Sequence, residues 1–159
     1  MSIDKKNQHR EQLIQARALL KELLGSLNDQ QWQTPIISED QTWTAADIVA
    51  HLFENEIGMS IHVHKIRQGK ETVPEDFNLD KWNAGLQKRV GNLSREELLT
   101  KLDEAREKTL QVLDSIKDDE WELQGRHPLQ GMATITDYYA IMAGHDTWHT
   151  NDIKKALNL

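Results

Sequence analysis

Four long stretches of this chain set apolar residues at alternating steps of three and four, the period of a helix laid along a core. The first aligns His9, Leu13, Ala16, Leu20, Leu23 and Leu27 and predicts a helix from about Asp4 to Gly25. The second opens at Thr44 with Asp47 three residues on, a carboxylate form of the capping box, with Trp43 and Ile48 at the staple positions. It continues to about Arg67, where Lys65 and Arg67 suit the negative helix end and Gly69 can stop it. Ser94 and Glu97 form a full capping box ahead of a third stripe, Leu98, Leu102, Ala105, Thr109, Val112 and Ile116. The last helix opens at Thr134 with Asp137 and runs nearly to the C-terminus.

A polar loop holding Pro74 and a short helix, about Leu79 to Val90, separate the second and third long helices. The β-branched residues are scattered, so no segment reads as a strand. The two halves also look alike. Leu27 to Trp32 ends the first helix as Ile116 to Trp121 ends the third, and Thr44 with Asp47 is echoed by Thr134 with Asp137. These patterns predict an all-α fold: one domain over residues 1–159, an antiparallel four-helix bundle with a short extra helix between long helices 2 and 3. The connections after Trp32 and Trp121 are too long for tight hairpins and can cross the bundle end, which leaves handedness and helix order open.

A chain of 159 residues can bury roughly 68–70% of the surface its unfolded form exposes, enough for a core without staples. The absence of cysteine removes disulfides, thiolate metal sites and a protein thiol nucleophile. A net charge of −7 and a pI near 5.5 argue against a nucleic-acid or anionic-membrane partner, which calls for a basic face. The start of the chain lacks the apolar run of a signal peptide, and no run approaches the roughly 18 residues of a membrane span. A cytoplasmic protein acting on a small molecule is the expectation.

The chemistry concentrates in His145-Asp146-Thr147-Trp148-His149. Residues four apart share a helix face, and both imidazoles fall in phase with Tyr138, Met142, Ile153 and Ala156. Imidazoles on a buried stripe need partners away from water, and a shared cation supplies one. A third histidine, His51, follows Ile48 by three on the second helix. Three histidines with an open position form the ligand set of a catalytic metal site. The pair alone is a weak signal, equally compatible with two exposed or hydrogen-bonded helix histidines; its phase and His51 strengthen it.

Such a site leaves the metal a strong Lewis acid, able to bring the pKa of a bound water to about 7 or to ionise a substrate thiol. Glu54 and Asn55, three and four residues after His51, are the candidate general base and orienting donor, although a solvated carboxylate is the blander reading of Glu54. Asp146 lies about 100° around the helix from its neighbours and reads as an exposed acid. Asp47 and Asp137 read as caps, His62 and His64 as surface residues near a helix end, His127 as a loop residue and Trp148 as packing or a pocket wall.

One histidine within Trp43-Thr44-Ala45-Ala46-Asp47-Ile48-Val49-Ala50-His51 and two within Gly144-His145-Asp146-Thr147-Trp148-His149 resemble the arrangement of the DinB superfamily of four-helix bundles, also called DinB-like or YfiT-like metal-dependent hydrolases. The resemblance extends over nearly the whole chain, including Trp32, Trp121 and Asp80-Lys81-Trp82-Asn83. It implies that His51, His145 and His149 hold a divalent metal, commonly zinc or nickel. It also implies a homodimer and, for some members, transfer chemistry on low-molecular-weight thiols such as bacillithiol or mycothiol. The expected function is then that of a metal-dependent hydrolase or small-thiol S-transferase. Two rivals are a protein that sequesters a metal or small ligand without turnover, and an interaction module whose site is vestigial.

Overall fold

The computed structural model of the chain describes residues 2–159. Four long helices dominate: α1 (Ser2–Ser26), α3 (Ala45–Arg67), α6 (Arg95–Ser115) and α7 (Ile135–Leu157). A single turn, α2 (Asp29–Trp32), follows α1. The caps read in the sequence are formed. Thr44, Ser94 and Thr134 each accept a hydrogen bond from the backbone N–H three residues on, and the Asp or Glu there accepts from the cap residue's own N–H. Among the described residues no helix is long and apolar enough to cross a membrane.

Two features depart from the sequence reading. Short antiparallel hairpins precede α3 and α7: β1 (Ile36–Ser38) with β2 (Gln41–Trp43), and β3 (Gln124–His127) with β4 (Gly131–Thr134). Strands of three and four residues are too short for alternation to register, and the first turn, Glu39-Asp40, lacks the Asn-Gly chemistry that announces a hairpin. The short helix expected over residues 79–90 is two pieces, α4 (Leu79–Ala84) and α5 (Leu86–Val90), meeting at Gly85.

The internal repeat is real in three dimensions: helix, Trp-bearing turn, hairpin and helix occur twice. Helix α1 packs on α7 and more lightly on α6, while α3 packs on both α6 and α7, so helices joined by a hairpin face each other across a diagonal. Contacts fix the directions. Lys21 meets Asp103 while Lys6 meets the Asp114 carbonyl, and His51 meets His145 while His62 meets Tyr138, so α1 with α6 and α3 with α7 are antiparallel. By the same evidence α1 runs with α7, His9 beside Tyr139 and Arg17 beside Asp146, and α3 runs with α6, Glu56 beside Arg106 and Arg67 beside Ser115. The long connection through α4 and α5 returns the chain to the end where α3 began, which is what makes α3 and α6 parallel.

The core falls into two apolar clusters, one around Leu20, Trp43, Ile48 and Leu102, the other around Leu13, Val63, Leu113 and Tyr138. A charged layer lies between them in sequence on all four helices: Arg17, Glu56, Arg106 and Asp146, each 1–5% exposed. Asp146 accepts from Arg17 at 2.9 and 3.2 Å and from Arg106 at 3.1 Å; Glu56 accepts from Arg106 at 2.7 Å. Asp146 is therefore no exposed acid. It does turn away from its histidine neighbour, but toward the bundle axis, where two guanidinium groups compensate its charge.

The second hairpin is pinned by close approach. A Cβ on Gly125 would stand 2.5 Å from Ile66 Cγ1 and 2.9 Å from Thr72 Cγ2. Gly125→Ala is expected to cost about 1–3 kcal/mol by overpacking, read as a lowered thermal midpoint.

Candidate metal centre

His51 sits two turns into α3, and His145 and His149 share one face of α7. Antiparallel packing of these helices brings the three rings together. His145 Nε2 lies 3.1 Å from His51 Nε2 and 3.0 Å from His149 Nε2. His51 and His149 are 3% and 0% exposed.

A fourth group joins them that the sequence reading missed. Glu39, at the tip of the β1–β2 hairpin, places Oε2 at 2.5 Å from His51 Nε2, 2.7 Å from His149 Nε2 and 3.0 Å from His145 Nε2. Glu39 and Asp40 have φ of 48° and 60°, the pair of positive values that a type I′ turn requires. Left-handed backbone costs a non-glycine residue roughly 1–2 kcal/mol, so this turn spends stability to put a carboxylate where it stands. No local pattern announces Glu39, because its position depends on a hairpin crossing the end of the bundle.

The same hairpin orients a ring. Ser38 Oγ donates to Asp152 at 2.5 Å and accepts from His149 Nδ1 at 2.9 Å. With its proton held at Nδ1, His149 turns an unprotonated Nε2 to the cluster, the tautomer a metal needs. Trp43 packs on the His51 ring at 4.6 Å between centroids, and Trp148 stacks on His149 at 5.6 Å.

Burial lowers the pKa of His51 to about 4, despite the opposing pull of Glu39, and lowers that of His149 for the same reason. Burial would raise Glu39, but its close contacts with the three imidazoles outweigh it and hold the carboxyl far below its ordinary range. His51 and His149, held neutral, and an ionised carboxylate thus crowd one point with His145 Nε2 beside them, an arrangement that a divalent cation resolves. These four groups each offer one ligand atom, all within 4.8 Å of one another. A tetrahedral ion with bonds of about 2.0–2.1 Å sets its donors about 3.3–3.4 Å apart, so the cluster fits an ion after widening by less than about 1 Å.

Glu54, the expected base, is elsewhere. Arg89 engages its carboxylate at 2.6, 3.0 and 3.2 Å, and lies 3.8 Å from the Trp82 ring centroid. Position three after His51 points it at α5 rather than α7. Asn55 instead lines a cleft opening beside the cluster, with Glu39, His145 and the partly exposed Trp148.

The profile of the DinB superfamily matches residues 12–153. No curated protein sequence matches the chain. Among solved structures, the chain resembles YfiT from Bacillus subtilis, described as a probable metal-dependent hydrolase with an unusual four-helix bundle topology. That match has a TM-score of 0.76 at 18% identity and covers 96% of this chain and 86% of the other. The colibactin self-resistance protein ClbS, solved in complex with double-stranded DNA, matches at a TM-score of 0.73 and 17% identity over 97% and 96% of the two chains. The mycothiol-dependent maleylpyruvate isomerase matches at 0.72 and 17%, over 91% of this chain and 60% of that one. At these identities the likeness is one of fold, and the bundle with its diagonal connections is shared. With the family profile spanning most of its length, this chain belongs to the DinB superfamily.

Proposed function

We propose that this protein is a cytoplasmic, metal-dependent enzyme acting on a small molecule, as a hydrolase or as a transferase of a low-molecular-weight thiol. The observation that carries the reading is the convergence of His51, His145, His149 and Glu39 at the edge of a cleft. The three histidines would hold one divalent ion, zinc or nickel, whose Lewis acidity polarises an oxygen or sulfur of the substrate. Glu39, kept ionised, receives the proton that a water or thiol nucleophile gives up. Ser38 and Asp152 hold the His149 ring in its working tautomer, and Trp43 and Trp148 shield the rings from water. Glu54 takes no part. The description of YfiT as a probable metal-dependent hydrolase supports the hydrolase reading, and the mycothiol dependence of the isomerase supports a low-molecular-weight thiol as reactant. A net charge of −7 favours a small-molecule partner over nucleic acid, the DNA in the ClbS structure notwithstanding. The protein is expected to elute as a homodimer in size-exclusion chromatography.

One observation favours a second reading, storage of a metal or ligand without turnover. Glu39 makes four protein donors, the number found in closed structural sites. The variant Glu39→Gln separates the two. For the enzyme, kcat in a panel of esters, amides and thiol–electrophile pairs drops about 10²–10⁴-fold while metal content stays near one equivalent. Wild-type protein that holds stoichiometric metal and turns over no member of the panel supports storage.

A further inference from the structure

The cleft beside the cluster has two connected lobes of about 180 and 240 Å³, which share Asn55, Met59, Leu79, His127 and Pro128. One lobe reaches Glu39 and His145; the other runs between α3 and α4 to Lys65, Phe77 and Trp82. The walls are mostly apolar, and the polar atoms on them stand out.

His127 is 7% exposed. Its Nδ1 accepts the backbone N–H groups of Leu129 and Gln130, both at 3.1 Å, so Nδ1 carries no proton and Nε2 must carry one. That Nε2–H is buried without an acceptor among the described residues. An orphaned buried donor is costly, and the turn after β3 enforces it here by fixing the ring. Lys65, on the last turn of α3, lines the outer lobe with no carboxylate within 4.0 Å among the described residues. The one acid on that lobe, Glu54, is neutralised by Arg89. The lobe therefore offers a neutral N–H donor and an ammonium between Met59, Phe77, Leu79 and Trp82, with Asn55 Oδ1 and His62 Nδ1 also buried without partners among the described residues.

We propose that this cleft is a binding subsite for a small molecule carrying a carboxylate on an apolar body. The carboxylate accepts the His127 Nε2–H and is balanced by Lys65, while the body runs past Met59 and Leu79 toward Glu39 and His145. That the far end reacts there rests on the function proposed above; the binding does not.

The test is calorimetric titration of metal-stripped protein at pH 7.5 with 4-phenylbutyrate, 4-phenylbutanamide and 4-phenylbutanol. The carboxylate is expected to bind at least about tenfold tighter than the amide or alcohol. Lys65→Met and His127→Gln are each expected to erase most of that preference, lowering the carboxylate's affinity toward that of the alcohol measured on the same variant. Lys65→Met is half-exposed and carries the test by itself if loss of the turn contacts unfolds His127→Gln. Equal affinity for the three probes, no saturable binding, or a preference that survives Lys65→Met overturns the proposal. Because the titration uses stripped protein, the two readings separate: stoichiometric metal in the purified protein without carboxylate preference after stripping sinks this inference alone, and carboxylate preference in a protein that never takes up metal sinks the metal enzyme alone.

Discussion

Asp146→Ala is expected to lower stability by about 3–5 kcal/mol, the usual cost of removing one partner from a buried ion pair. For a domain this size each kcal/mol shifts the thermal midpoint by about 2–4 °C, so melting should fall by about 6–20 °C. The effect is large because Asp146, 1% exposed, answers two guanidinium groups, and its loss leaves Arg17 and Arg106 with Glu56 as their only carboxylate among the described residues. Replacing all four charges by Met and Leu is expected to be neutral or stabilising, because the desolvation penalty of four buried ions vanishes with them. If the layer instead sets which helices face each other, that apolar variant melts well yet loses near-UV circular dichroism. An Asp146→Ala melt within about 1 kcal/mol of the wild type would mean that the layer is solvated and stabilises little.

Removing the metal should matter nearly as much. A ligand present at about a thousand times its dissociation constant stabilises the folded state by about 4 kcal/mol, so chelation should cost the purified, untagged protein about that amount. His149→Ala is expected to retain less than about a tenth of an equivalent of metal and to melt identically with and without chelator. Ser38→Ala leaves the ligand atoms intact but frees the His149 ring, and a loss of about 10–100-fold in metal affinity is expected. Elemental analysis and competition with a chromophoric chelator measure both. A wild-type melt indifferent to chelator, with no metal recovered, would leave the four groups as a hydrogen-bonded cluster only.

The helices were legible because their signals are local. Thr44 with Asp47, Ser94 with Glu97 and Thr134 with Asp137 are three residues apart, and the geometry they report closes within a turn. The convergence of His51 with His145 and His149 was legible through phase, since each ring shares a face with residues that are buried. Glu39 was not. Its carboxylate reaches the cluster only because a turn with two positive φ values caps the bundle end, and Ser-Glu-Asp-Gln shows nothing of that kind. Arg17, Arg106 and Glu56 fall in phase with apolar stripes, yet a charged residue in phase reads as the edge of a stripe until its partner on another helix is known.

Sequence alone determined four amphipathic helices, their start points, a doubled half and three histidines on inward faces, because each follows from residues within one or two turns of one another. Tertiary structure decided the rest. It set α1 parallel to α7 and α3 to α6, turned Asp146 inward onto two arginines, paired Glu54 with Arg89, brought Glu39 against the three histidines and left His127 Nε2 without a partner among the described residues. These outcomes depend on which helix faces which across the bundle, and that is chosen by long connections and by charges whose compensation exists only once distant segments meet.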